Sequence, residues 1–271
     1  MYYATSARRF AAHPRTAQAL RTLNLAQRVQ DRELGELTQR FAELELMKDE
    51  FVSRTGHELR TPLTNIKIYL ELLETGKPEN RDKYLSTLKC ETDRLHILIE
   101  DLLQVRQLSL ETFELEIAPS DIQDILRERL MAWDEQAVNR GLVFHTRLLT
   151  DPPRVLIDRD WTAQLLGHLV NNAINYTPAG IITLSTAIRS DVAGCWITVS
   201  VTDTGPGIAS EELSHIFERF YRGHAAADYK TPGIGVGLAI CREIVNKLNG
   251  RLTVQTEVGV GSTFTVWLRA A

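Results

Sequence analysis

Two runs of apolar residues, spaced alternately by three and four, limit most strongly what this chain can fold into. The first is Leu34, Leu37, Phe41, Leu44 and Phe51, interrupted at Lys48. The second is Val52, Leu59, Leu63, Ile66, Leu70 and Leu73, with Gly56 at its vacant position. This spacing is the seam of a coiled coil, so residues 34–73 are expected to be helical. The two seams are out of phase by one residue, and the slip falls at Phe51–Val52, which makes two near-equal packings of that junction an expectation. Gly76 and Pro78 in "ETGKPEN" end the helix. A second amphipathic helix, about 80–108, carries Leu88, Leu95, Leu98, Leu102 and Val105 on one face. A hairpin of two such helices shields only part of its stripes, and a four-helix bundle built from two chains covers the remainder. A homodimer is the expected state.

After Leu110 the periodicity changes. "FELEI" (113–117) alternates like a strand, and Ser120 with Gln123 reads as a capping box for a helix reaching about Asn139. "LVFHTRLL" and "RVLID" read as strands, followed by a helix over 159–176 and strands over 180–188 and 195–203. A short helix is expected near Ser210 and a longer one over 235–249. Strands over 251–257 and 262–268 close the chain. The fold class expected is multidomain, α and α+β. A helical hairpin forms a dimeric four-helix bundle and precedes a two-layer α/β sandwich. The divisions fall at 1–47 (linker and coiled-coil helix), 48–110 (hairpin) and 111–271 (sandwich). The stretch "YRGHAAADYKTP" (221–232) is small, polar and unpatterned, as a mobile loop would be.

Composition removes several classes of function. The 271 residues carry a formal net charge of −4, so no global basic field points to nucleic acid. No run of about 18 apolar residues exists to span a membrane, and "MYYATSARRF" lacks the apolar core of a signal peptide. Cys90, Cys195 and Cys241 have no metal-ligand spacing and leave an odd count, which fits a reduced cytoplasmic setting. Residues 1–33 are short and polar, and the expected setting is cytoplasmic, either for the chain itself or for the cytoplasmic part of a longer membrane-anchored protein.

Six short stretches carry chemistry. In "GHELRTPL" (56–63), His57 lies beside the seam rather than on it and therefore faces solvent. Pro62 removes the hydrogen bond to the Glu58 carbonyl. In "HLVNNAINYTP" (168–178), His168, Asn172 and Tyr176 share a helix face with Asn175 as neighbour. Asp203 ends a strand on the parity of Ile197, Val199 and Val201, where a carboxylate needs a donor partner. It opens "DTGPGI", whose Gly205 and Gly207 allow close backbone approach. "GIGVGLAI" sets Gly233, Gly235 and Gly237 at a helix start, where free N–H groups favour phosphate. "IFERFYRG" (216–223) and "GVGSTF" (259–264) complete the series.

In that order and at those separations the six stretches resemble the H, N, first glycine, F, second glycine and last glycine boxes of the sensor histidine kinases of two-component signalling. The resemblance covers about residue 48 to the C-terminus. It implies a dimerisation and histidine-phosphotransfer hairpin followed by an ATP-binding domain of the gyrase, Hsp90 and MutL kind. ATP and Mg²⁺ are the implied cofactors. By the resemblance Asp203 reads the adenine amino group, Tyr176 flanks the base and Asn172 is the Mg²⁺ ligand. Gly233, Gly235 and Gly237, with Val236 and Leu238, lie under the phosphates. Gly205, Gly207, Ile208, His168, Asn175 and Ser262 border the nucleotide, and Arg222 in the lid contacts phosphate. His57 is the implied nucleophile, and Glu58 orients its ring. Thr61, one turn on, positions water in a phosphatase reaction. Many members carry asparagine where this chain has His168 and a basic residue where it has Asn175. The implied reaction moves phosphate from ATP to His57 and then to an aspartate on a response-regulator receiver domain. A phosphatase-dominant enzyme and a catalytically silent ATP-binding scaffold are the alternatives.

Overall fold

The computed structural model describes residues 34, 35, 38, 45, 52, 53, 55–110, 112–192, 194–223 and 233–271. The chain divides into two compact units, Met1–Arg54 and Thr55–Ala271. In the first, Leu34, Gly35, Thr38, Glu45, Val52 and Ser53 are helical. The seam residues Leu37, Phe41, Leu44, Lys48 and Phe51 lie outside the described residues, as does the 224–232 part of the stretch expected to be a mobile loop.

The second unit opens with the hairpin. Helix α1 (55–75) continues through Pro62, which is buried. Gly76 closes α1, because a Cβ there would collide with the Leu72 carbonyl and touch the Tyr84 ring at 3.0 Å. A 3₁₀ turn, Pro78–Asn80, leads into α2 (Arg81–Leu108). The helices are joined by Asn65 Nδ2 donating to Glu91 Oε1 (2.7 Å) and Arg94 Nη2 donating to Glu58 Oε2 (2.9 Å). Tyr69 and Tyr84 stack obliquely, with centroids 6.0 Å apart. Leu63 and Leu70 of the first stripe stay 61% and 51% exposed, while the second stripe is buried or half-buried and the exposed apolar residues of α2, Ile97 (55%) and Leu103 (51%), lie beside it.

The sandwich comprises β1 (Ala118–Ser120), α3 (Ile122–Asn139), β2 (Val143–Arg147), β3 (Val155–Ile157), α4 (Arg159–Tyr176), β4 (Ile181–Asp191) and β5 (Gly194–Asp203). It ends with α5 (Gly237–Lys247), β6 (Arg251–Glu257) and β7 (Gly261–Arg269). Five strands form one sheet in the order β2-β4-β5-β7-β6, antiparallel except for β2 beside β4. Strands β1 and β3 make a separate antiparallel pair. Strand alternation decides the layers. Ile197, Val199 and Val201 pair with Leu268, Val266 and Phe264 on the face that the helices cover. Leu165, Leu166 and Leu169 of α4 and Ile240 and Ile244 of α5 are fully buried there. The opposite face carries hydroxyl pairs, Ser200 with Thr265 (2.8 Å) and Thr202 with Thr263 (3.0 Å).

Three local expectations are corrected. Residues 113–117 are not a strand. Phe113 packs edge-on against Trp161 (5.2 Å), its carbonyl accepts from Lys247 Nζ (2.7 Å), and Glu116 N donates to Asp158 Oδ2 (2.9 Å). Those contacts satisfy the backbone without a neighbouring strand. The cap of α3 is Asp121, whose Oδ1 accepts from Gln123 N (2.8 Å), because Ser120 is held in β1. Gln123 turns inward instead and donates to the Leu149 carbonyl (2.9 Å). After Ser210 the backbone bonds run from Glu212 N to Ala209 O and from Glu218 N to His215 O, so the segment is a succession of turns and not a helix.

Candidate functional site

Strand β5 delivers Asp203 to the floor of a cleft between the sheet edge, α4 and the start of α5. Asp203 Oδ1 accepts from Gly205 N (2.9 Å) and, at 3.3 Å, from Ser262 N on β7. No described donor reaches Oδ2, so one acceptor remains for whatever enters. Burial pushes the Asp203 carboxyl above its ordinary range, and the two backbone donors pull it partly back. Glycine is required at 205, where a Cβ would lie 2.8 Å from both Asp203 Oδ1 and the Tyr176 carbonyl. Helix α4 contributes Asn172, Ala173 and Tyr176 to the wall, and the Tyr176 phenol is shifted upward, mainly by burial.

The loop after Asp203 supplies Pro206, Gly207 and Ile208, and the opposite side supplies Gly235, Gly237 and Leu238. Gly235 has a φ of +77°, the left-handed region where glycine is unstrained. Its carbonyl accepts from Phe220 N (2.8 Å), tying the second glycine loop to the turn that precedes Arg222. Arg222 lines the cleft and donates from Nη1 to the Gly233 carbonyl (2.8 Å).

The cleft gathers Asn172, Tyr176, Asp203, Gly207, Ile208, Arg222, Gly235, Gly237, Leu238 and Ser262 from the residues picked out in sequence. Gly205 and Val236 do not line it, though Gly205 N holds Asp203 and Val236 is buried at the start of α5. Gly233, His168 and Asn175 do not line it. Gly233 N instead donates to Glu58 Oε2 (3.4 Å), and His168 turns to α2, with Nε2 3.1 Å from Gln104 Oε1. Glu212, Ile216, Tyr221 and Phe264 line the cleft without having been singled out. Thr256 was also missed. Its hydroxyl accepts from Ile208 N (2.9 Å) and lies 2.9 Å from Ser262 Oγ, joining the first and last glycine boxes. A threonine on the inward parity of Leu252 and Val254 was the available signal.

On the hairpin, His57 is exposed and no described group bonds its ring. The expected Glu58–His57 contact is absent from this arrangement, because Glu58 is occupied elsewhere. Its Oε2 takes Arg94 and Gly233 N, and its Oε1 lies 3.7 Å from Arg222 Nη1. Thr61 Oγ1 donates to the His57 carbonyl (3.1 Å).

Residues 47–111 match the His Kinase A (phospho-acceptor) domain, and residues 157–271 match the histidine kinase-, DNA gyrase B- and HSP90-like ATPase. The chain belongs to the sensor histidine kinases. It is 33% identical over 237 residues to the drug sensory protein A of Synechocystis, covering 83% of this chain and 35% of that protein. It is 34% identical over 226 residues to the sensor histidine kinase WalK of Bacillus subtilis, covering 81% of this chain and 36% of that one. The chain thus spans about a third of the length of these relatives. Among solved structures, full-length ShkA in complex with AMPPNP superposes with a TM-score of 0.59 at 29% identity, over 82% of this chain and 46% of that one. The phospho-acceptor match falls on the hairpin and the ATPase match on the sandwich. No helix among the described residues is long and apolar enough to cross a membrane.

Proposed function

We propose that the chain is an ATP-dependent protein-histidine kinase that phosphorylates itself on His57. The observation that carries this reading is the meeting of cleft and hairpin: Arg222 at the cleft and Gly233 beside it both reach Glu58, the residue next to His57. Phosphoryl transfer needs positioning and charge stabilisation more than covalent help from the protein. A neutral ring nitrogen of His57 attacks the γ-phosphorus of ATP, the bond from that phosphorus to the β,γ-bridging oxygen breaks, and ADP leaves. Glu58 balances the positive charge that forms on the ring once Arg222 turns to phosphate.

Asp203 lines the cleft with Oδ2 left as an acceptor, which suits the amino group of adenine, and Tyr176 offers a flat wall for the base. Asn172 supplies a neutral oxygen where Mg²⁺ would be held. No cluster of three His, Cys, Asp or Glu occurs among the described residues, so phosphate and water would complete the ion's shell. When bound, Mg²⁺ neutralises charge developing on the phosphates.

The exposed apolar residues Leu63, Leu70, Ile97 and Leu103 fit a homodimer, the still-exposed part of each such side chain being worth about 1 kcal/mol when covered. The acceptor downstream of His57 is an aspartate on a response-regulator receiver domain. A phosphatase reaction on that partner is supported by Thr61, which lies exposed one turn from His57 with its hydroxyl tied to the His57 carbonyl. The test is incubation of the purified chain with Mg²⁺ and γ-labelled ATP. Label that is labile in acid and stable in base is expected, and absent or acid-stable label contradicts the reading.

A further inference from the structure

We infer that His168 is a positioning residue for the phosphoryl transfer, one that registers the nucleotide cleft on the hairpin of its own chain; the inference rests on the kinase reading above. Helix α4 shows a change of direction within one polar stripe. Asn172 and Tyr176 face the cleft, whereas His168, one turn earlier, faces α2. Its Nε2 is 3.1 Å from Gln104 Oε1 and 3.9 Å from Asp101 Oδ1, and the His168 and Asp101 side chains are each only 16% exposed. With Gln104 Oε1 as acceptor, Nε2 carries the proton. The other edge of the ring lies against the first residue of α5, since a Cβ on Gly237 would be 3.4 Å from His168 Nδ1. The imidazole therefore fills the space between a glycine of the nucleotide cleft and helix α2. A shorter asparagine would not span it.

Two further contacts fix the same relation. Arg219 Nη1 donates to Ser109 Oγ at the end of α2 (2.9 Å), and the Arg222–Gly233 corner meets Glu58. Arg219 and Arg222 act at the rim. His168 alone of these contacts arises from α4, the helix that also carries Asn172 and Tyr176. Removing it loosens the register of the cleft on His57, which the rim contacts alone then hold, while leaving the cleft itself intact. The loss then falls on the transfer step and spares nucleotide affinity.

The experiment uses the full chain and three variants, His168→Phe, His168→Gln and Gln104→Leu, with the double variant of His168→Phe and Gln104→Leu. A fluorescent ATP analogue gives nucleotide affinity, and label incorporation from γ-labelled ATP at saturation gives the transfer rate. His168→Phe and Gln104→Leu are each expected to slow transfer about tenfold, the worth of a lost hydrogen bond, with affinity unchanged. The double variant should be no slower than either single one, because both remove the same contact. His168→Gln, which retains a donor near the same place, should recover most of the rate.

Variants that label at the wild-type rate overturn the inference. So does a loss of affinity in proportion to rate, which would make His168 a nucleotide ligand. If His168→Phe melts early and fails to fold, Gln104→Leu on the hairpin decides the matter by the same two readouts. A wild-type chain that takes no acid-labile label overturns the kinase reading and this inference together. A labelled wild type with unaffected variants overturns the inference alone.

Discussion

The hairpin and the sandwich solve the problem of burying apolar surface in opposite ways. In the sandwich, Ile122, Leu126, Leu165, Leu166, Ile197 and Ile244 are essentially without solvent contact inside one chain. In the hairpin, Leu63, Leu70, Ile97 and Leu103 remain half or more exposed. The difference separates tasks. A self-contained core can hold Asp203 and its two backbone donors rigidly, as nucleotide recognition demands. On the proposed reading, a hairpin whose packing is completed by a second copy keeps His57 on an open surface that both the cleft and a receiver domain can reach. A phospho-acceptor in a closed core would be unreachable, and an adenine site on a loose surface would be imprecise.

That comparison is most easily broken at its cores. Leu165→Ala should cost about 2–5 kcal/mol, the usual penalty for truncating a buried leucine, whatever the protein concentration. Leu70→Ala should lower the melting midpoint by an amount that depends on concentration if, as proposed, association covers the half-exposed side chain. Scanning calorimetry at two concentrations distinguishes them, and a concentration-independent loss for Leu70→Ala would remove the dimer seam. At the cleft, Asp203→Asn keeps an oxygen for Gly205 N and Ser262 N and so turns an NH₂ toward the ligand. The donor amino group of adenine then meets a donor, and ATP affinity should fall about ten- to hundredfold by fluorescence titration.

The contact between the two regions has its own pH signature. Burial pushes His168 down to about 4 from 6.5, and burial with help from Glu100 pushes Asp101 up to about 7 from 3.8. The nearby Cys241 thiol is driven upward by burial and by Asp101, and stays protonated. Between about pH 4 and 6.5 the separated pair holds one proton, on His168, and the docked pair holds one proton, on Asp101. The two linkages cancel and docking is flat with pH. Asp101→Asn leaves only the lowered histidine, whose contribution is present above 6.5 and lost as pH falls toward 4. His168→Phe leaves only the raised carboxyl, whose contribution is present below 3.8 and lost as pH rises through 7. Melting midpoints relative to wild type should therefore slope in opposite directions for the two variants. Parallel slopes would mean that the pair does not share its environment. The smallest effect is expected at Asn175. It does not line the cleft, so Asn175→Lys should change ATP affinity by less than about fivefold, the ceiling for an exposed charge pair.

What the sequence made legible follows from range. The α4 and β5 boundaries, the inward parity of Asp203 and the glycine loops rest on local periodicity and turn chemistry, and they appear within a residue or two of expectation. The errors come where a distant group competes for a local one. Phe113 is drawn from a strand by Trp161 and Lys247. Gln123 leaves its capping box for the Leu149 carbonyl. His168 abandons the stripe it shares with Asn172 because Gln104, 64 residues away, offers a partner. Glu58 likewise faces Arg94 and Gly233 rather than His57. No helical spacing encodes such contacts, since each depends on how segments distant in the chain meet.

The separation of nucleophile from nucleotide site is tested most directly by one variant. His57→Gln removes the acceptor nitrogen from an exposed position on the hairpin and touches nothing in the cleft. With Mg²⁺ and γ-labelled ATP, the variant should take no acid-labile label while binding a fluorescent ATP analogue with wild-type affinity. Acid-labile label persisting in His57→Gln, or affinity lost together with label, would contradict the account.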